Sequence, residues 1–286
     1  PPAHAICSAC RKGRQAAFLQ TPKNMHATIH FVLIGQRLGH TFSPQYFSEK
    51  WQREATPALA QRLHYSTAEL PQIIDVRALL QRGDLCGANV TIPYKTAIMP
   101  YLYAIAPCAA SVGAVNTLVR DERGRWWGYN TDVIGFNQSL QQAVDSIAGF
   151  SLRSALILGT GGASKAVQTA LQWQNVDVRL VSRTSSEQAL SYDDLRDEDI
   201  EKVDAIINTT PLGMYPDVES CPALPYEAVS EKHLAVDLVY NPAKTVFLQR
   251  CAAQGAHTLG GLPMLHLQAD AAWRLWQSSP YFSALL

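Results

Sequence analysis

From Thr28 onward the apolar positions fall into short continuous runs separated by longer amphipathic stretches. Ile29-His30-Phe31-Val32-Leu33-Ile34 predicts a buried strand broken at Gly35. Ser43-Pro44 supplies an N-cap followed by proline at the first helical position, so a helix is expected from there to about residue 53. A short strand at 63–65, a helix at 73–80 and a strand at 87–91, stopped by Pro93, follow. Strand–helix alternation of this kind favours a mainly parallel sheet. Residues 114–119 and 126–130, joined by the polar turn Asp121-Glu122-Arg123-Gly124, predict a β-hairpin. Asp132 is then expected to cap a helix reaching about residue 148, ended by Gly149.

The alternation restarts after Gly149. Ala155-Leu156-Ile157-Leu158 is continuously apolar, as burial under helices on both faces requires. It runs into Gly159-Thr160-Gly161-Gly162-Ala163, and a helix follows through about residue 173. Further strands are expected at 178–181, 205–207 and 234–236, with helices at 244–253 and 263–276. The expected fold class is α/β with two domains. Residues 25–131 would form a substrate-binding domain with a mainly parallel sheet, and residues 132–261 a Rossmann-type dinucleotide-binding domain. Residues 262–286 would return to pack on the first domain. Residues 1–24 contain no acidic residue and show no period. They are expected to be a disordered tail, with Met25 as an alternative translation start.

Lysine plus arginine equals aspartate plus glutamate, 24 against 24, so no overall field points to nucleic acid or an anionic membrane. No apolar run approaches the roughly 20 residues needed to span a bilayer. The expectation is a cytoplasmic protein, monomer or homodimer, acting on a small molecule. Six cysteines in a chain of 286 residues are too few for a disulfide scaffold. Cys7-Ser8-Ala9-Cys10 has C-x-x-C spacing, but no second pair or histidine cluster completes a zinc site, and no metal is expected.

The glycine loop changes the picture most. Gly159 permits a tight turn, Gly161 lets backbone approach a pyrophosphate, and the following helix offers free N–H groups. Ser164 fills the third small position of the fingerprint. At the tip of the next strand an NAD enzyme would place an acid on the ribose hydroxyls. Here the tip is Ser182-Arg183-Thr184. A guanidinium at that offset suits a 2′-phosphate, so NADP is favoured over NAD. Tyr46-Phe47-Ser48-Glu49-Lys50 mimics the Tyr-x-x-x-Lys of short-chain dehydrogenases but precedes the glycine loop; it is expected to be a helix surface. Ala166 after Lys165 excludes a nucleotide triphosphatase loop, which needs Ser or Thr there.

A set of polar residues remains in the first half: Thr41, Ser43, Asn89, Thr91, Lys95, Asn116, Asn130 and Asp132. Singly, each reads as a cap or turn residue. Together with their neighbours they form a pattern. Gly35-Gln36-Arg37-Leu38-Gly39-His40-Thr41-Phe42-Ser43-Pro44, Asn89-Val90-Thr91-Ile92-Pro93-Tyr94-Lys95, Gly113-Ala114-Val115-Asn116-Thr117 and Asn130-Thr131-Asp132 resemble the shikimate dehydrogenase family. The similarity continues through the glycine loop, Asn208-Thr209-Thr210-Pro211-Leu212-Gly213-Met214, Tyr240-Asn241-Pro242 and Gly261-Leu262-Pro263-Met264-Leu265.

The resemblance implies reduction of 3-dehydroshikimate to shikimate with NADPH, in a cleft between two domains. It further implies that Thr41 and Ser43 hold the substrate carboxylate. Asn89, Thr91, Asn116, Asp132 and Gln268 would read the ring hydroxyls, Tyr240 would stand near the carboxylate or nicotinamide, and Lys95 with Asp132 would be the catalytic pair. The cofactor would lie on Gly159, Thr160, Gly161, Gly162, Ala163, Ser182, Arg183, Thr184, Thr209, Met214, Gly261 and Met264.

Hydride delivery to a ketone leaves an alkoxide that needs a proton as it forms, which an ammonium can stabilise and supply. Three departures stand out: Thr41 where the family usually has Ser, Ser182 in place of Asn, and Glu187 where a second Arg commonly follows. They leave a quinate/shikimate dehydrogenase using NAD or both cofactors as the alternative enzyme, and a non-catalytic cofactor sensor as the alternative outside catalysis.

Overall fold

The computed structural model describes residues 28–39 and 41–286. The expected tail at 1–24, the start at Met25, the Cys7/Cys10 pair and His40 lie outside the described residues. The first part of the chain runs β1 (Ile29–Gly35), α1 (Ser43–Glu54), α2 (Pro57–Ala60), β2 (Leu63–Glu69), α3 (Val76–Leu80) and β3 (Leu85–Val90). It continues with α4 (Tyr94–Ala97), β4 (Ala104–Ile105), α5 (Pro107–Val112), β5 (Thr117–Arg120) and β6 (Trp126–Tyr129). Helix α6 (Thr131–Ser146) then leads into β7 (Ser154–Leu158), α7 (Gly162–Trp173), β8 (Asp177–Ser182), β9 (Ala189–Ser191) and α8 (Asp197–Glu201). The rest is β10 (Ala205–Asn208), β11 (Leu234–Asp237), α9 (Val246–Ala253), β12 (His257–Leu259), α10 (Leu262–Gln277) and α11 (Pro280–Leu285).

The strands form two sheets, ordered β2-β1-β3-β5-β6-β4 and β12-β11-β10-β7-β8-β9. Every pairing in the second is parallel. The first is parallel around β1, but the β5–β6 hairpin enters it antiparallel to β3. Alternation along each central strand feeds two cores per sheet. Leu156 and Leu158 pack with Phe247 and Leu248 on one face, while Ala155 and Ile157 meet Val133, Phe136 and Ala170 on the other. In the first sheet Val32 and Ile34 face Val76 and Ile98, and Ile29 and Phe31 face Phe47, Trp51, Trp273 and Trp276.

Helix α10, late in the chain, completes the core of the first sheet. Trp276 is fully buried; its Nε1 donates to the Leu118 carbonyl (2.9 Å), and its ring lies 4.5 Å from Phe31. The indole covers Gly87, where a Cβ would collide with it. Helix α10 also crosses α6 at Gly135, where a Cβ would stand 2.7 Å from the Met264 carbonyl oxygen. Among the described residues no helix is long and apolar enough to cross a membrane.

Several local expectations are corrected. Ser43 is the first residue of α1 rather than its cap: Phe42 takes the cap position and makes no side-chain cap bond. Asp132 does not cap α6; Asn130 does, its side chain accepting from the Val133 amide, which leaves the Asp132 carboxylate for other partners. Lys244 lies outside α9, which Thr245 caps. The Tyr46/Lys50 pair is not a bare helix surface. Lys50 is buried to 7 % exposure and bridges Glu54 (2.7 Å) and Asp270 (2.8 Å), and Tyr46 Oη donates to Asp270 (2.6 Å). The pair joins α1 to α10, so its spacing reflects one helix face meeting another.

Candidate active site

The carboxyl ends of the central parallel strands of both sheets border one cavity, where open α/β sheets characteristically bind ligands. Its volume is about 390 Å³. Thr41, Ser43, Asn89, Thr91, Lys95, Asn116 and Asp132 line it, together with Tyr240 from beyond β11 and Gln268 from α10. Ala163, Gly261 and Met264 line it as well. Residues scattered over 228 positions of sequence (268 − 41 + 1) thus meet at one place.

The register explains part of this convergence. Leu33, Asn89, Thr117 and Tyr129 form one row across β1, β3, β5 and β6. Asn89 sits in that row with Nδ2 donating to the Asn116 carbonyl (3.2 Å) and Thr117 Oγ1 (3.1 Å). Its Oδ1 accepts from Tyr65 Oη (2.8 Å), so the amide is oriented with its oxygen toward a donor. Burial pushes the Tyr65 phenol upward in pKa, opposed by its hydrogen bond with Ser43. Tyr65 therefore ties Asn89 to the start of α1.

Lys95 stands on the short helix α4 just past β3, and Asp132 in the first turn of α6. Lys95 Nζ donates to Asp132 Oδ2 at 2.7 Å, and the other oxygen, Oδ1, accepts from Asn116 Nδ2 at 2.8 Å. Asn116 is itself held, its Oδ1 accepting from the Thr131 amide (2.7 Å). Thr131 Oγ1 lies 3.5 Å from Gln268 Oε1, which brings α10 into the same network. The carboxylate is thus fixed by two elements, and the ammonium by the carboxylate. An ammonium pinned beside a carboxylate in a half-covered cavity can stabilise a developing oxyanion and give it a proton.

The glycine loop lies at the end of β7. Gly159 has φ +102°, a conformation that a side chain would strain, and a Cβ there would also meet Thr209 Oγ1 at 2.9 Å. At Gly161 and Gly162 a Cβ would meet nothing within 4 Å, so the outer surface of the loop is bare backbone open to approach. No side chain caps α7 at Gly161, leaving its first N–H groups for an anion. These features fit a dinucleotide pyrophosphate. Ser182 ends β8 and Arg183 and Thr184 follow it, Thr209 follows β10, and Met214 is an exposed residue of the loop beyond it; none of these lines the cavity itself.

Ser182 Oγ donates to the Thr184 carbonyl and accepts from the Thr184 amide (3.3 Å), shaping the turn that presents Arg183 to solvent. Glu187 is an exposed residue of the turn between β8 and β9. Ala189, two residues after it, pairs with Leu180, three residues short of Arg183. Among the described residues no group of three or more His, Cys, Asp or Glu could hold a metal ion.

Sequence reasoning missed the cavity's apolar wall and part of its support. Leu33, Val90, Ile92 and Leu238 line it, as does Phe42, whose ring stacks on Tyr46 (4.9 Å) and His266 (5.2 Å) and lies 6.4 Å from Tyr240. Apolar residues at strand ends look like core from sequence, so no signal marked them. Gly261 is a glycine for packing: a Cβ there would collide with the Leu238 carbonyl. Behind Tyr240, buried Asp237 accepts from Asn208 Nδ2 (3.0 Å), Thr245 Oγ1 (2.6 Å) and the Val239 amide (3.0 Å). Burial raises its pKa, against the lowering effect of these three donors. The cluster anchors the ends of β10 and β11 that carry Thr209 and Tyr240.

The family model described as the shikimate dehydrogenase substrate-binding domain matches residues 33–118. The chain is 34 % identical to a shikimate dehydrogenase (NADP(+)) of Methanococcus vannielii, over 87 % of this chain and 91 % of that protein. It is 37 % identical to the enzyme of the same name from Carboxydothermus hydrogenoformans, over 85 % and 90 % of the two chains. The fold matches shikimate 5-dehydrogenase of Thermus thermophilus, solved with NADP(H) and shikimate, at a TM-score of 0.74 and 30 % identity, covering 90 % of this chain and 97 % of that one. With similarity extending over both sheets and a substrate-domain match that spans the row of polar residues around Asn89, the chain belongs to the shikimate dehydrogenase family.

Proposed function

We propose that the protein is an NADP-dependent shikimate dehydrogenase, interconverting 3-dehydroshikimate and shikimate. The observation that carries this is the 2.7 Å Lys95–Asp132 pair in a cavity that also reaches Ala163 of the glycine loop. When bound, NADP supplies the hydride donor or acceptor. The chain's own residues bind the substrate and move the proton.

In this proposal Thr41 and Ser43 donate hydroxyl hydrogen bonds to the substrate carboxylate, while Asn89, Thr91, Asn116, Asp132 and Gln268 meet the ring hydroxyls. Tyr240 covers the cavity near the carboxylate. Lys95 Nζ gives its proton to the carbonyl oxygen as the ketone is reduced, and takes the hydroxyl proton in the reverse direction. Asp132 keeps Lys95 oriented. Gly159, Thr160, Gly161, Gly162 and Ala163 cradle the pyrophosphate. Ser182, Arg183 and Thr184 take the 2′-phosphate, and Thr209, Met214, Gly261 and Met264 flank the rest of the cofactor.

We divide the chain into a substrate domain, 25–131 with 262–286 packed back on it, and a dinucleotide domain, 132–261. The two sheets and the return of α10 support the division. We place the protein in the cytoplasm, as a monomer or homodimer.

The test is absorbance at the nicotinamide band with shikimate or quinate, each with NADP or NAD. Shikimate with NADP is expected to give the highest kcat/KM. No turnover in any of the four combinations would overturn the enzymatic assignment in favour of a cofactor sensor.

A further inference from the structure

Among the described residues, three charged side chains line the cavity: Arg37, Lys95 and Asp132. Lys95 and Asp132 compensate each other at 2.7 Å. Arg37 is left over. Among the described residues its guanidinium has no hydrogen bond or ion pair, and it stands on the same wall as Thr41 and Ser43. Its chain neighbours are both tethered. Gln36 Nε2 donates to the Pro71 carbonyl (3.3 Å), and the Leu38 amide donates to Glu69 Oε1 (2.6 Å). The Leu38 side chain is buried over Gly35, where a Cβ would meet Leu38 Cδ2 at 2.6 Å and Thr91 Cγ2 at 2.9 Å. The turn is therefore anchored on both sides of the one residue whose charge has no partner within the cavity wall.

The chemistry of the substrate gives that charge a use. Hydroxyls such as those of Thr41 and Ser43 donate hydrogen bonds but carry no charge to balance a carboxylate. A carboxylate leaving water for a cavity is costly unless a cation accompanies it. With 24 basic and 24 acidic residues the chain offers no general field to draw an anion in, so the attraction must be local. We infer that Arg37 supplies the counter-charge for the substrate carboxylate and sets the enzyme's preference for the free acid over uncharged analogues. This rests on the assignment of shikimate as substrate, and it makes Arg37 a specificity residue distinct from the Lys95–Asp132 pair that moves the proton.

The test is a two-by-two comparison of wild type and Arg37→Gln acting on shikimate and on its methyl ester, at saturating NADP. A charge-assisted hydrogen bond is worth enough that its loss should raise KM for shikimate about tenfold. The variant's kcat should stay near the wild-type value, and its KM for the ester should be unchanged. Arg37→Lys should restore part of the loss on the acid. In wild type, kcat/KM for shikimate should fall with added salt, and this dependence should weaken in Arg37→Gln. Equal effects on acid and ester, or no effect on the acid, would overturn the role of Arg37 while leaving the reaction intact. Absence of turnover of shikimate by wild type would instead overturn the reaction itself, and this inference with it.

Discussion

At the scale of single residues, the two oxygens of Asp132 divide their work. Oδ2 accepts from Lys95 and Oδ1 from Asn116, so the carboxylate reaches the ammonium in one orientation only. Replacing Lys95 by Ala is expected to cut kcat by a factor of about 100 to 10,000, the usual range for a positioned acid–base group. Asp132→Asn should produce a loss of the same kind. In both variants the dissociation constant of NADP, followed by quenching of tryptophan fluorescence, should stay close to wild type. Near-normal turnover in either would remove that residue from the catalytic pair. Both residues were legible in the sequence only through the family resemblance, because singly each reads as a cap or turn residue. Arg37 and Phe42 were not: a loop cation and a loop aromatic look like solvated surface until the fold brings them to a cavity.

At the scale of elements, the β5–β6 hairpin is organised by its turn. Asp121 accepts from the amides of Arg123 (3.0 Å) and Arg125 (2.9 Å), from Arg125 Nε (2.8 Å) and from Trp127 Nε1 (3.2 Å). Burial alone would raise the pKa of this carboxyl, but the four donors and the Arg125 guanidinium outweigh burial and lower it. A depressed acid stabilises the fold above its unfolded value, about 3.9, and that contribution is lost as pH falls through the folded value. Asp121→Asn should therefore cost about 1–3 kcal/mol at neutral pH. It should also flatten the fall in Tm below about pH 4. Thermal melts across that range measure both, and an unchanged slope in the variant would exclude Asp121 as a source of acid sensitivity.

The hairpin was legible from its apolar arms and polar turn, as were the buried strands β1 and β7. The edge strands were less so. Only 63–65 of β2 was expected as strand, because exposed polar residues fill the rest of its pattern, and β4, β9 and β12 are two or three residues long, too short to show a period.

At the scale of the whole molecule, two helices connect the sheets, and they touch at Gly135, where α6 has no room for a side chain. The Gly135 contact sets the spacing of α6 and α10, and with it the position of Gln268 relative to Thr131 and Asp132. Gly135→Val should push α10 away, costing about 1–3 kcal/mol of stability through overpacking. It should also lower kcat, because Gln268 and Met264 move with the helix. A variant with normal Tm and normal kinetics would show the contact to be dispensable. The two-sheet layout and the late helix were within reach of the pattern of apolar runs. The crossing at Gly135 was not, since a glycine inside a helical pattern gives no hint of what lies against it.

Trp276 has a consequence for how the molecule is made. The aromatic face of the first sheet is built largely from residues made before the second sheet, among them Phe31, Phe47 and Trp51, yet the indole that seals it sits on α10, after every strand of both sheets. The second sheet has every strand it needs before α10 is translated. During synthesis the later half can therefore close first, while the earlier half waits with an open apolar face. Emergence of α10, rather than of any strand, is the event that completes the core of the first sheet.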